Sequence, residues 1–593
     1  MWKEAQGGNG QGQDWESQAW QDQAWQDTEF DQRPDGEMSY RALRRAIDRG
    51  VGFGLLFVRC TPVIATEIIG RLGRDLPQKR VATLVLDGEM ENFYGSSQQS
   101  KIPSFYQRVV ALRQQQAFEV LFVRGMEYPL LEHERQQGGD MLERSRNKGY
   151  GGREWETVPR ILGHLNLSRE RFRDDFPVMF VLFLPEFALN YFIRRAPDFF
   201  DWRSGMYEFW TDPMQVMWAT TRLTVLAPSY EEYCRQTPAQ RLTRLVEIHS
   251  YVAENPSVEQ AASLWFERGL IDASGQHYEQ MLAAYDKVLE IKPHTDEVWN
   301  NRGIALGHLG RYEEEIAAYD KALTIKPDKD EAWYNRGIAL RNLGRYEEAI
   351  NSYNKALKIK PNYYQAWYNK GIALDALAYY EEALVAYDTT LEINPDYYQA
   401  WYNRGIVLRN LGRYGEAVSS YNKALKIKPD NHQAWYNRGN VLSHLGYYEE
   451  AVSSYDKALK IKPDKNIAWY VRGCVLGHLG SYEEAIDSYD KALEIKPNDN
   501  TAWQKRGNML LKSGKFPEAK ESLEHALKLN PTDVDTLATM AYYFVLQNDP
   551  QQALTYLAQA VEQDNHRRGA IATDPDFASL HPNPHFQTLI NNP

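Results

Sequence analysis

Five asparagines, Asn301, Asn335, Asn369, Asn403 and Asn437, recur 34 residues apart. Tyr334, Tyr368, Tyr402 and Tyr436 immediately precede four of them, and Tyr470 continues that row beside Val471. A carboxamide donates to one backbone carbonyl and accepts from one backbone N–H, so a row of them can hold an extended peptide whatever its side chains. Tyrosine adds flat contact area at small ordering cost. The chemistry these residues offer is recognition. Residues suited to catalysis are scattered by comparison: Cys60, Cys234 and Cys474 lack metal-ligand spacing, and His308, His444 and His478 recur only because the sequence does. No catalytic set, metal site or cofactor site is expected.

The elements that position the rows follow from the same period. Trp265, Trp299, Trp333, Trp367, Trp401, Trp435, Trp469 and Trp503 are each 34 residues apart, which marks a repeat architecture. Four residues after each tryptophan stands a glycine, such as Gly337 and Gly405, where a missing Cβ lets a second helix approach closely. An LGR-like turn follows, then Tyr or Phe (Tyr346, Phe516), an acidic opening such as Glu347-Glu348, and a closing proline such as Pro361. Each unit therefore reads as a helix-turn-helix hairpin.

This pattern of W-x3-G, Tyr or Phe, small residues such as Ala349 and Ala356, then Pro, resembles the tetratricopeptide repeat. Eight copies are expected, with a degenerate ninth at 534–567 in which Leu537 and Ala541 replace Trp and Gly, and residues 568–593 as a cap. The resemblance implies an all-α superhelix, an α-solenoid, with first helices on its concave side. Asn301 to Asn437 are similar to the asparagine ladders of such proteins. The carboxylate clamp of related proteins uses Lys and Asn where this chain has Tyr334 and Ile338, so a clamp is not expected. Two readings of the ladder stand: a peptide-binding row, or the trace of recent duplication, since 330–361 and 398–429 are nearly identical. Arg302, Arg336, Lys370, Arg404, Arg438 and Arg472 form a third row, which either buries its stems with charged tips exposed or attracts an acidic segment.

Ahead of the repeats, residues 37–255 alternate helices with short apolar strands such as FGLLFVRC and VMFVLFLPE. Continuous apolar strands imply a mostly parallel sheet covered on both faces, a three-layer α/β domain in a multidomain chain. Its order resembles a signal-transducing P-loop ATPase. The phosphate loop of that class ends in Gly-Lys-Ser/Thr after the first strand, whereas this chain has Arg59-Cys60-Thr61-Pro62-Val63-Ile64, and Glu127 is the one acidic candidate near the third strand. The domain is expected to be degenerate. Arg169, Arg171, Arg195 and Arg203 either sense a phosphate or carboxylate, or pair with Asp174, Asp198 and Asp201.

Residues 1–36, rich in Gln and Gly with Trp15, Trp20, Trp25 and Phe30 five apart, fit neither a helix face nor a strand face and are expected to be disordered. They read either as a solvated tail or as aromatics that dock into a groove. The net charge of -12 and the lack of a Lys/Arg run argue against nucleic acid. No stretch suits a membrane span, since 178–193 is short and broken by Pro185 and Glu186. Unpaired cysteines suit a reducing cytoplasm. The expected function is a non-enzymatic scaffold that binds an extended protein or peptide segment in the concave groove. The alternative is a signalling NTPase whose nucleotide state is relayed to the repeats.

Overall fold

The computed structural model describes residues 36–86, 104–136, 165, 170–211, 217, 221, 227–254 and 256–591. The tail at 1–35 and Arg169 lie outside them. Two compact units, 1–327 and 328–593, divide the chain after the second helix pair.

The first unit opens with α1 (Gly36–Arg49), β1 (Gly54–Arg59), α2 (Pro62–Asp75), β2 (Val81–Val85), α3 (Phe105–Gln115), β3 (Val120–Arg124) and α4 (Glu127–Gln136). It continues with β4 (Met179–Leu184), α5 (Glu186–Arg195), the short α6 (Pro197–Phe200), β5 (Gly205–Glu208), α7 (Tyr230–Arg235) and α8 (Pro238–Ala253). All strand pairs are parallel and the order is β2-β3-β4-β1-β5. Strand β1 is buried at all six positions because each face has its own cover. Leu55 and Phe57 point into a cluster with Val109 of α3 and Phe192 of α5. Leu56 and Val58 point the other way, against Leu43 of α1 and Leu72 of α2. The continuous apolar runs thus produce the three layers expected of them.

Strand β5 was not foreseen. Gly205-Met-Tyr-Glu has no apolar run, and it is held as an edge strand by pairing with β1, where Ser204 N donates to Leu55 O at 2.6 Å. The arginine-rich stretch resolves in favour of packing where it is described: Arg203 lies 3.7 Å from Asp201 and over the Phe200 ring, and Arg171 lies over Tyr106.

Helix pairs 258–274/278–291 and 296–308/312–325 complete the first unit. The second unit is a series of pairs, 330–342/346–359, 364–376/380–393, 398–410/414–427, 432–444/448–461, 466–478/482–495, 500–512/516–529 and 534–546/550–563. Within the pairs from 330–359 to 466–495 the glycine faces a buried tyrosine of the second helix, whereas Gly507 faces Leu523 and the last pair has Ala541 in its place. A Cβ on Gly405 would lie 2.6 Å from the Tyr421 ring, and one on Gly371 equally close to Tyr387. The tryptophans fasten each first helix to the preceding turn, Trp401 Nε1 donating to Pro395 O at 2.8 Å and Trp435 to Pro429 O at 2.9 Å. After the last pair, Phe577, Leu580 and Phe586 pack on Ala541, Ala553 and Leu557 and cover the exposed end of the stack.

Candidate functional site

Helical periodicity puts residues at i, i+4 and i+7 on one face, so the first helices at 330–342, 364–376 and 398–410 each present a tyrosine, then an aliphatic residue, then a variable one. In the second unit these are Tyr334, Ile338 and Arg341; Tyr368, Ile372 and Asp375; and Tyr402, Ile406 and Arg409. Each tyrosine is half-buried against the fully buried tyrosine of its own second helix, as Tyr368 is against Tyr387 at 5.9 Å and Tyr402 against Tyr421 at 6.1 Å. Tyr436 and Tyr470 sit the same way on Tyr455 and Tyr489.

The asparagines are bound to that row. Asn369 Nδ2 donates to Tyr334 Oη at 3.0 Å, Asn403 to Tyr368 at 3.1 Å and Asn437 to Tyr402 at 3.0 Å. Each bond joins one repeat to the next; the Asn403 amide also faces the buried Tyr387 hydroxyl, and the carbonyl oxygens of Asn403 and Asn437 stay available. Asn369 is more engaged: its second N–H donates to Gln365 O at 2.9 Å, its carbonyl accepts from Arg341, and it is buried. Asn335 is half-buried on the same face of its helix. Asn301, in the first unit, faces the buried Tyr285 of its preceding pair.

The basic row does something else. Arg404 donates to Asp388 of the preceding second helix at 2.6 Å and to Ser420 of its own at 2.7 Å. Arg472 does the same with Asp456 and Ser488, and Arg302 pairs with Asp286 at 2.7 Å. These guanidiniums bridge helices, with stems buried and charges answered inside the fold. Lys370 departs from the pattern, since Asn354 and Ala386 stand where the acid and the serine should be. Its ammonium rests 4.7 Å over Trp367, and burial lowers its pKa.

Sequence reading missed an aromatic cluster at the same first-helix face. Tyr363 stacks near Tyr334 at 4.8 Å, Tyr364 near Tyr397 at 5.3 Å, and Tyr397 near Tyr368 at 4.9 Å. The signal was the doubled tyrosine in NYYQAW and DYYQAW, which occurs in two consecutive repeats only.

A second concave feature lies in the first unit. A cleft of about 910 Å³ opens beyond the carboxyl ends of β1, β3 and β4, lined by Cys60, Thr61, Arg124, Glu127, Tyr128 and, from α7 and α8, Tyr233 and Arg244. The connection from β1 leads toward β2 and that from β4 toward β5, on opposite sides of the sheet. The cleft therefore sits at a topological switch point, where open α/β sheets receive ligands. Only Cys60 and Thr61 separate β1 from α2, and Thr61 Oγ1 caps that helix. A two-residue link cannot wrap a phosphate. Glu127 opens α4 and is buried in the cleft wall. Among the described residues no group of three His, Cys, Asp or Glu side chains is placed to hold a metal ion, and no described helix is long and apolar enough to cross a membrane.

Serial hairpins of one length, each stapled to the next, define a helical repeat protein. Residues 330–363, 398–431, 432–465 and 467–499 match the model described as tetratricopeptide repeat, 308–344 match a TPR repeat model, and 510–573 match a further tetratricopeptide repeat model. This region of the chain is a tetratricopeptide repeat array, a protein–protein interaction scaffold. Residues 380–411 also match the protein prenyltransferase alpha subunit repeat. No curated protein matches the sequence. Solved structures similar to part of the chain include YrrB, described as a TPR protein with an unusual peptide-binding site, at 27% identity over 32% of this chain and 98% of that one, TM-score 0.30. They also include the C-terminal part of a TPR repeat-containing protein from Cytophaga hutchinsonii, at 19% identity over 40% and 98%, TM-score 0.37. MamA from Desulfovibrio magneticus matches at 20% identity over 29% and 96%, TM-score 0.28.

Proposed function

We propose that the chain is a non-enzymatic adaptor that holds an extended segment of a partner protein against the first-helix face of its repeats. The observation that carries this reading is the alignment of Tyr334, Tyr368, Tyr402, Tyr436 and Tyr470 with Asn403 and Asn437, whose amides keep free hydrogen-bonding capacity beside half-exposed rings. Flat rings next to unsatisfied carboxamides suit a peptide backbone better than a globular surface. Asn335 and Asn301 extend the same chemistry along the sequence. The test is pull-down from a proteome with the intact chain and with a variant carrying Asn403→Ala and Asn437→Ala. Partners retained by the first and lost by the second support the reading, and identical partner sets argue against it.

A second reading, a ligand-regulated domain whose state is relayed to the repeats, is favoured by the cleft at the switch point of the sheet. Calorimetric titration of the chain with ATP and GTP in magnesium decides it for nucleotides: saturable heat favours the signalling role, and its absence leaves the adaptor reading alone.

A further inference from the structure

Two guanidiniums on the tyrosine face lack the partners that answer the other arginines. Arg341 donates to Asn369 and Asn342, and Arg409 to Asn410 at 3.2 Å; neither reaches a carboxylate within ion-pair distance among the described residues. This contrasts with Arg404, five residues before Arg409 on the same helix, which is fully engaged with Asp388 and Ser420. Both arginines are half-buried, where a charge interacts more strongly than at the open surface.

Between them lies the aromatic cluster. The Tyr364 and Tyr397 rings meet edge to face at 71° and those of Tyr368 and Tyr397 at 86°, and all three are half-buried, so the cluster offers a packed aromatic surface. Lys428 lies 4.9 Å over Tyr398 and adds positive charge at the rim, whereas Lys360, 4.7 Å over Tyr363, is paired with Asp330 at 3.7 Å. The one acid on the variable position in this stretch is Asp375, whose carboxyl feels the Arg409 charge without forming an ion pair with it, while burial, the larger effect, raises its pKa. Aromatic surfaces bind proline in an extended, left-handed helix whose ordering cost is already low.

We infer that this stretch, from Tyr334 to Arg409, receives an acidic, proline-containing extended segment of a partner protein, with one carboxylate on Arg341, a second on Arg409 and a proline between them on the tyrosine surface. The inference rests on the adaptor reading and gives it a recognition code. First helices two repeats apart are separated by about 20 Å, and an extended chain advances about 3.3 Å per residue, so the two carboxylates fall about six residues apart. Arginine suits this task because its fork engages a carboxylate with two bonds.

The test is selection of a random peptide library displayed on phage against the full chain, followed by fluorescence anisotropy of the enriched peptides made synthetically. The intact chain is compared with Arg341→Gln, Arg409→Gln and the charge-keeping Arg409→Lys, with each variant's fold checked by its thermal melting curve. The expected result is enrichment of peptides with two acidic residues about six apart around a proline, and binding about tenfold weaker for each Gln variant. Arg409→Lys should lose less, and raised salt should weaken the intact complex. Peptides that bind the tyrosine face but carry no acidic pair and ignore both Gln variants would overturn the code while leaving the adaptor reading standing. Failure to enrich any peptide that Asn403→Ala and Asn437→Ala weaken would remove both.

Discussion

The side-chain amide of Asn403 donates to the hydroxyl of Tyr368 at 3.1 Å across 35 positions of sequence. The contact joins the first helices of neighbouring repeats, so a residue pair that reads as a binding row also holds the stack together. The two roles separate experimentally. Tyr368→Phe keeps the ring and removes only the acceptor, at an expected cost of about 1 kcal/mol. Asn403→Ala should cost about as much in denaturant unfolding, and the double variant little more, because each single change already breaks the same bond. If the row also binds a peptide, Asn403→Ala weakens that binding more than Tyr368→Phe does.

Gly405 faces the Tyr421 ring so closely that a Cβ would lie 2.6 Å from it. Alanine is the better helix former by about 1 kcal/mol, so propensity alone predicts that Gly405→Ala stabilises. The expected outcome is the opposite, a loss of about 1–3 kcal/mol from overpacking, read from urea unfolding midpoints.

Six inter-helix turns place a glycine at positive φ, among them Gly344 at 75° and Gly412 at 73°, whereas Ala378 holds φ 60° at the same point of its repeat. A side chain there is strained, and glycine is the usual residue ending a helix in this way. Ala378→Gly should raise stability by about 0.5–1 kcal/mol, visible as a higher melting temperature.

Glu315 stands where later repeats carry Ala349, Ala383 and Ala417, and its carboxylate lies against Gly307 with one oxygen accepting from Tyr319 at 3.2 Å. Burial pushes its pKa up to about 7, and the Tyr319 bond only partly opposes this. The folded state therefore holds this proton more tightly than the unfolded chain, so the contribution is most favourable below the ordinary carboxylate range and is lost as pH rises toward 7. Allowing for solvent screening, the loss is about 1–2 kcal/mol. Glu315→Gln should flatten stability between pH 5 and 8 and exceed the parent at pH 8, checked by melting curves across that range.

Lys370 leaves a helix bridge unmade. Asn354→Asp, Lys370→Arg and Ala386→Ser together rebuild the arrangement that Arg404 makes with Asp388 and Ser420. The triple variant is expected to gain about 1 kcal/mol, and Lys370→Arg alone to gain less, since Asn354 offers only a neutral acceptor, as Asn422 does to Arg438 at 2.7 Å, and the serine is absent.

Much of this fold is legible without coordinates, because the information is local and repeated. The 34-residue spacing of Trp and Gly, the closing prolines and the acidic helix starts fix the hairpins, and the second helices from Tyr278 to Phe516 open on the Tyr or Phe where the sequence places them. The apolar runs of β1 and β4 fix the three-layer sheet in the same way. What the sequence could not decide is who meets whom across repeats. Whether Arg404 points to a partner or to Asp388, whether Asn403 is free or bound to Tyr368, and that Tyr364, Tyr368 and Tyr397 converge while Arg341 and Arg409 are left without carboxylates, all depend on the stacking of one hairpin on the next. Strand β5 and the cleft beyond β1, β3 and β4 belong to the same class. An edge strand without an apolar run and a cavity at a switch point have no local signal, since they exist only once distant segments are packed together.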